Sequence, residues 1–160
     1  MVTTTQAATR RMRPRTRKAV LVAHILAAGA WVGLDVVLAV LVFTPLVTPD
    51  PAVAALCHQA LPLLTAPILT SGLACLATGV VLGVGTHHGL VRYWWVLVKL
   101  VLNVVLVLLV LLLLRPGLDA AAAGGDVSSL VFPPVVSGTS LVVATVLAVY
   151  RPWGRVRATR

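Results

Sequence analysis

The stretch RYWWVLVKLVLNVVLVLLVLLLLR, residues 92–115, decides the fold class of this chain. It is a nearly unbroken run of valine and leucine, and it is long enough to cross the roughly 30 Å of a bilayer's hydrocarbon core, which takes about 20 apolar residues. Lys99 and Asn103 interrupt the run. A lysine in hydrocarbon is costly, and such residues usually face a bundle interior or a polar cavity. The rest of the chain should therefore contain other spans and polar residues that meet these two.

The composition is that of an integral membrane protein. Of the 160 residues, 59% are hydrophobic and 11% are charged, whereas soluble domains have about 25% charged residues; the mean hydropathy is +1.02. Four stretches are long and apolar enough to span a bilayer, at about residues 19–44, 66–85, 93–114 and 134–150. The sequence therefore predicts an all-α, integral membrane four-helix bundle over residues 19–151, with no soluble domain.

The net charge of +9 follows this topology. Basic residues are concentrated before the first span, at Arg92 between the second and third spans, and after the fourth. The positive-inside rule then places both termini in the cytoplasm and the protein in the bacterial cytoplasmic membrane. Residues 1–18 are predicted to be a disordered basic tail held near anionic lipid, and residues 152–160 a second basic tail. Nucleic acid is not an expected partner.

Prolines predict how the second span begins. Asp50 and Pro51 are typical of an N-cap and a first helical residue, so a short outer helix is expected at about residues 51–61. If it continued to Gly85 it would be too long for one ordinary span, and a break is expected at Pro62 or Pro67.

Other connecting and packing residues carry simpler expectations. The loop RPGLDAAAAGGD, residues 115–126, is flexible by composition. Gly29 and Gly33 of the first span belong to the small residues that are expected to pack helices closely. Cys57 and Cys75 would be about 27 Å apart on a continuous helix, so no disulfide is expected between them.

The candidate site residues are polar side chains inside the spans. His24 in the first span and Lys99 in the third lie about 9 to 10 Å past the cytoplasmic boundary charges, and Asn103 is one turn beyond Lys99. A desolvated lysine can lose its proton, and a neutral amine can ligate a metal or move a proton. Equally, a lysine at this depth can extend to the headgroups, and His24 is equally consistent with a hydrogen-bonded packing residue.

Two further residues share the face of His24. Trp31 and Asp35 follow it on the same side of the first span, opposite the two glycines, at about 100° per residue. Asp35 is about 16 Å farther out than His24, so its expected neighbour is His58 of the outer helix rather than Lys99. His87 and His88 lie in the short cytoplasmic loop, where solvation accounts for them.

Three of these residues, together with Trp95, lie in stretches of sequence that resemble a known family. HILAAGAWVGL, which contains His24 and Trp31, and WVLVKL, which contains Trp95 and Lys99, resemble small four-helix membrane proteins of the copper-resistance protein D-like superfamily, above all its uncharacterised members. The similarity to the bacterial membrane protoporphyrinogen oxidase is weaker; in that enzyme a histidine of the first span and a lysine of the third are implicated and haem is bound. The resemblance implies that His24 and Lys99 form the functional pair and that haem b is a cofactor.

This chain also departs from both patterns. The oxidase pattern continues after the first span with an arginine and a further histidine, where this chain reads VVLAVLVFTPLV. Copper handling usually recruits thioether ligands, but the two methionines both lie in the N-terminal tail.

The sequence thus favours a membrane protein that binds haem or another redox or metal ligand in a pocket of His24 and Lys99, with Trp31 and Asn103 as supporting hydrogen-bond donors. Whether it is an enzyme is left open. One alternative is a protein that handles a solute or ion without redox chemistry. Another is a structural accessory subunit, as a homo-oligomer or beside a partner membrane subunit. The lipid bilayer is the expected partner in every case.

Overall fold

The structure, a computed structural model, describes residues 12–85, 94–125 and 128–150. Within these ranges every regular element is helical and none is a strand. Four helical segments are long and apolar enough to cross a membrane: Pro14–Val47, Pro51–Gly85, Val96–Ala122 and Phe132–Tyr150. The predicted all-α class with four membrane-length helices is therefore confirmed. The predictions for residues 1–11, for the C-terminal tail and for His87 and His88 lie outside the described residues.

Helix α1, Pro14–Val47, is the longest of the described helices. Pro14 lies in its first turn, where a proline loses no helical hydrogen bond, and the arginines and lysine that follow are good helix formers. Residues 14–18, which the sequence assigned to a disordered tail, are therefore helical, and α1 starts earlier than the predicted span. The helix ends at Thr48, whose backbone is extended.

Helix α2, Pro51–Ala60, is the expected short outer helix. The Asp50 side chain caps it by accepting a hydrogen bond from the Ala52 N–H at 2.8 Å. A 3-10 turn, Leu61–Leu64, contains Pro62 and connects α2 to helix α3, Thr65–Gly85. The regular helix is interrupted at this proline, which has no N–H to continue it.

The third long helix has three continuous parts: α4, Trp94–Leu109, a π turn, Val110–Leu114, and α5, Arg115–Ala122. The prediction of a flexible loop is therefore wrong for Arg115–Ala122. Leu118 and Ala121 are buried, and α5 packs against α2 and the 3-10 turn that follows it, which stabilises the helix. Pro116 has no N–H for the preceding turn, and the wider π turn lies directly before it.

A second 3-10 turn, Ser128–Val131, leads into helix α6, Phe132–Tyr150. Pro133 and Pro134 lie in the first turn of α6, where their missing N–H groups are not needed. The fourth long helix therefore begins slightly before the predicted span.

The bundle is organised around the packing of α1 on α3, the most extensive contact between described elements. Trp31 of α1 is 1% exposed, and its ring lies against Gly72 of α3. A Cβ at residue 72 would come within 3.2 Å of the Trp31 ring, so a larger residue there would require the ring or the helix to shift by a few tenths of an ångström. Helix α4 packs on α3, and α6 packs on both α1 and α4.

Gly29 and Gly33 of α1 do not pack against another helix among the described residues. A Cβ at Gly29 or Gly33 would meet nothing within 4 Å, and both residues are exposed. The prediction that they pack against neighbouring helices is therefore wrong for the described bundle. They lie on the face of α1 opposite the buried Trp31 and Asp35, as their helical spacing requires.

Replacing Gly72 with alanine should destabilise the bundle, because the new methyl group meets a buried indole ring. We expect Gly72→Ala to lower the free energy of unfolding by about 1–3 kcal/mol, the usual cost of overpacking. Gly29→Ala is the matched control and should be neutral or stabilising by about 0.5–1 kcal/mol, since alanine is the better helix former. Unfolding in mixed micelles measures both; equal effects would contradict the proposed role of the contact.

Candidate functional site

The ring nitrogen Nδ1 of His24 is hydrogen-bonded to α3. This atom lies 3.1 Å from the backbone oxygen of Cys75 and 2.9 Å from Thr78 Oγ1. A carbonyl oxygen can only accept a hydrogen bond, so we assign the proton of the neutral ring to Nδ1 and the lone pair to Nε2. Gly79 allows the ring to approach, because a Cβ there would lie 3.3 Å from His24 Cε1.

Helix α4 adds two residues to this group. Asn103 Nδ2 donates a hydrogen bond to Cys75 Sγ at 3.5 Å. Lys99, one turn before Asn103, is half-buried and close enough to His24 and Cys75 to interact electrostatically with both. His24 and Asn103 therefore both contact Cys75, and Lys99 lies within electrostatic range of His24 and Cys75.

Trp31 and Asp35 lie farther along α1 and belong to a different place in the bundle. They line a cavity of about 380 Å³ between α1, α3, α4, the π turn and the start of α6. Ser137 of α6 is its third polar residue, and neither His24 nor Lys99 lines it. The remaining lining is apolar: Ile68, Leu106, Leu109, Val110, Leu113, Leu114, Leu130, Phe132, Pro133 and Val136. Of the four residues predicted to share one site, Trp31 therefore lines this cavity, whereas His24, Lys99 and Asn103 do not.

Asp35 is only 6% exposed and has one hydrogen-bond donor within the described residues. Ser137 Oγ lies 2.6 and 2.7 Å from its two carboxyl oxygens. The same hydroxyl lies 2.7 Å from the backbone oxygen of Pro133. One hydroxyl proton therefore serves three acceptors, and the carboxyl group has little hydrogen bonding for its depth.

Asp35 has its hydrogen-bond partner on α6 and not on the outer helix, which carries its predicted neighbour His58. Within the parts of the chain that the structure describes, no hydrogen bond or ion pair joins them, and the partner of Asp35 is Ser137. The reason is the packing of α6 against α1, which brings the first turns of α6 to the polar face of α1. His58 is half-buried on α2.

Three buried side-chain polar atoms have no hydrogen-bond partner among the described residues: Trp31 Nε1, Asn103 Oδ1 and Thr65 Oγ1, of which the first two belong to the two polar groups along α1. Trp31 lines the cavity, and Asn103 lies beside Cys75. A buried donor without an acceptor costs about 1–3 kcal/mol. Such groups usually pair with water, an ion or a ligand.

The cysteines do not form a disulfide, which confirms the prediction. Cys57 and Cys75 are both free and buried, on α2 and α3. Cys75 instead takes part in the polar group around His24, where its Sγ lies 3.9 Å from His24 Nδ1.

The geometry around His24 does not support the expected haem or metal site. A histidine that ligates a metal usually donates its other N–H to a carbonyl or carboxylate, and His24 has such a bond. However, the cavity lies at Trp31 and Asp35, and the His24 ring is packed against Gly79. Within residues 12–85, 94–125 and 128–150, no group of three His, Cys, Asp or Glu side chains could hold a metal ion.

Three residues of these two sites were not found from the sequence: Cys75 and Thr78 beside His24, and Ser137 beside Asp35. Cys75 belongs to a stripe of small residues at four-residue steps, Ser71, Cys75, Gly79 and Gly83, whose usual role is helix packing. Thr78 lies outside that stripe, and Ser137 is one of three hydroxyl residues near the start of α6, with Thr139 and Ser140. Each was recognisable only once its helix was placed against α1.

Comparisons with protein-family models, with curated proteins and with solved structures found no match for this chain.

Thr78 offers a test of the bond between α1 and α3. Thr78→Val removes the hydroxyl that His24 Nδ1 contacts, and we expect a loss of about 1 kcal/mol in the free energy of unfolding. Thr70→Val is the matched control: like Thr78, Thr70 bonds back to the carbonyls three and four residues earlier in α3, but it has no bond to another helix. Thr70→Val should therefore lower the free energy of unfolding by less than Thr78→Val does.

A double-mutant cycle completes this test. In a His24→Ala background, the extra cost of Thr78→Val over Thr70→Val should disappear. If the extra cost persists there, the bond between His24 and Thr78 does not contribute to stability.

Proposed function

We propose that this protein is a four-span membrane protein that binds a small lipid-soluble ligand in the cavity lined by Trp31, Asp35 and Ser137. The observation that carries this proposal is the lining itself: Asp35, whose carboxyl group has one shared hydroxyl donor among the described residues, and Trp31, whose buried indole N–H has no acceptor there, in walls that are otherwise apolar. Small-molecule sites typically combine apolar walls with a few such polar groups. This supports the solute-handling alternative over haem binding at His24.

The opening of the cavity favours a ligand that arrives through the lipid. Leu113, Phe132 and Val136 line the cavity and are 63%, 69% and 46% exposed. These residues form a rim between the π turn and the start of α6, on the outer surface of the bundle. A π turn inside an α-helix is frequently found at functional sites, and here it forms one wall of the cavity.

We place the protein in the bacterial cytoplasmic membrane with both termini in the cytoplasm. The Met12 N–H contacts the Gly85 oxygen at 3.5 Å, so the beginning of α1 and the end of α3 lie at the same end of the bundle. That end holds the exposed basic residues that begin α1, and the positive-inside rule favours the cytoplasm for it. The cavity then opens toward the outer leaflet.

Single cysteines test this orientation. In spheroplasts, a membrane-impermeant maleimide should label Ala123→Cys, which is exposed at the end of α5. Arg15→Cys, exposed at the start of α1, should be labelled only after permeabilisation. The native Cys57 and Cys75 are 8% and 6% exposed and should contribute little background. The reverse labelling pattern would contradict the proposed orientation.

An apolar carbodiimide tests whether the cavity can be reached from the lipid. We expect dicyclohexylcarbodiimide to modify Asp35 in membranes, and mass spectrometry of the digested protein to locate the adduct. A water-soluble carbodiimide should leave Asp35 unmodified, because the rim faces lipid.

Two neighbouring valines provide the control variants. Val136→Trp places a large side chain at the rim and should block modification of Asp35. Val135→Trp changes an equally exposed residue that does not line the cavity, and should leave modification unchanged. An unreactive Asp35 in the unaltered protein, or equal labelling of the two variants, would contradict the proposed function.

The group around His24 has a different role in this proposal. Its bonds join α1, α3 and α4 in their cytoplasmic halves, and polar bonds of this kind hold helices together in membranes. The structural alternative, an accessory subunit or homo-oligomer, has in its favour only the open face of Gly29 and Gly33.

A further inference from the structure

Resting on the proposed function, we infer that the ligand of the Asp35 cavity is a lipid-soluble ammonium compound. Its charged nitrogen lies beside Asp35 and Trp31, and its hydrocarbon part passes between the π turn and α6 into the outer leaflet. The inference names the chemical class that complements this lining.

Charge is the first argument. Asp35 is more than nine-tenths buried, yet Ser137 is the one group among the described residues that donates a hydrogen bond to it. A buried carboxylate is normally paired with a cation and hydrogen-bonded. No Lys or Arg side chain of the described residues lines the cavity, and Lys99 lies about two turns before Leu106, the first residue of α4 in the lining. An ammonium ligand supplies the missing cation.

The hydrogen bonding of Asp35 and the ring face of Trp31 agree with this assignment, whereas the Trp31 N–H is itself a donor and gains no acceptor from an ammonium group. Two carboxyl oxygens offer about four acceptor positions, whereas Ser137 offers a single proton that Pro133 also attracts. An ammonium group brings up to three donors. Trp31 lines the same cavity, and an indole attracts a cation more strongly than the other aromatic side chains do.

Size and access define the rest of the ligand. A cavity of about 380 Å³ is near the lower end of the range for small-molecule sites, so it holds a compact head group and a short apolar part. The three exposed rim residues are leucine, phenylalanine and valine. A polar solute would have to cross this apolar rim, whereas a hydrocarbon chain can remain in it.

The test uses three compounds with the same chain length and different charge: n-octylammonium, n-octanol and n-octanoate. The full-length protein is reconstituted in lipid nanodiscs, and binding is measured as the rise in unfolding midpoint with concentration, since a ligand of the folded state stabilises it. Protection of Asp35 from dicyclohexylcarbodiimide is the second readout. We expect octylammonium to raise the unfolding midpoint and to protect Asp35. The other two compounds should need at least tenfold higher concentrations for the same effects.

Matched variants separate the site from general effects on the lipid. Asp35→Asn should weaken octylammonium at least tenfold, and Asp119→Asn, which alters an exposed carboxylate, should have no effect. If Asp35→Asn does not fold, Val136→Trp against Val135→Trp provides the same comparison without changing the carboxyl group. Equal binding by the altered and unaltered proteins would overturn the inference.

The outcomes distinguish this inference from the function on which it rests. If octanol raises the unfolding midpoint as much as octylammonium does, and Val136→Trp weakens both, the cavity binds a neutral hydroxyl compound. In that case the ammonium class is overturned and the proposed function stands. If none of the three binds and Asp35 also resists the apolar carbodiimide, the proposed function itself is overturned.

Discussion

The contact of the Trp31 ring with Gly72 is the constraint on which the rest of the structure depends. It sets the distance between α1 and α3, and it also sets their register. His24 lies two turns before Trp31 and meets Gly79, two turns after Gly72, so the two helices run antiparallel with glycines opposite large rings. From that register follow the positions of Cys75 and Thr78 beside His24. Because lipid tails give apolar helices no hydrophobic reason to associate, such close packing supplies much of the stability.

The two polar groups along α1 differ in how well they are satisfied. His24 has two partners on α3 within hydrogen-bond distance, and its ring is tightly packed. Asp35 shares one hydroxyl with a backbone carbonyl, and its neighbour Trp31 has an unpaired N–H. A satisfied group stabilises the fold as it stands, whereas an unsatisfied one beside a cavity is stabilised further by binding something. This difference is the reason that the ligand site is proposed at Asp35 and not at His24 and Lys99.

The cavity itself depends on irregular backbone at two places. The π turn Val110–Leu114 widens the third long helix just before Arg115 and Pro116, and the 3-10 turn Ser128–Val131 contributes Leu130 to the lining. Ser137 then lies in the first turns of α6, where it meets Asp35. Beyond the π turn the third helix continues as α5, which packs against α2 and the 3-10 turn Leu61–Leu64.

The sequence by itself determined the helical class, the four apolar segments, the Asp50 cap and the break near Pro62, because apolar length, capping and proline chemistry are local properties. Helical periodicity also placed His24, Trp31 and Asp35 on one face. Only the tertiary structure decided which residues on other helices meet that face: Cys75 and Thr78 beside His24, Ser137 beside Asp35, and Gly72 against Trp31. Helix rotation and register are set by side-chain fit between helices, and long runs of similar valine and leucine side chains leave many rotations nearly equivalent until all the helices are in place.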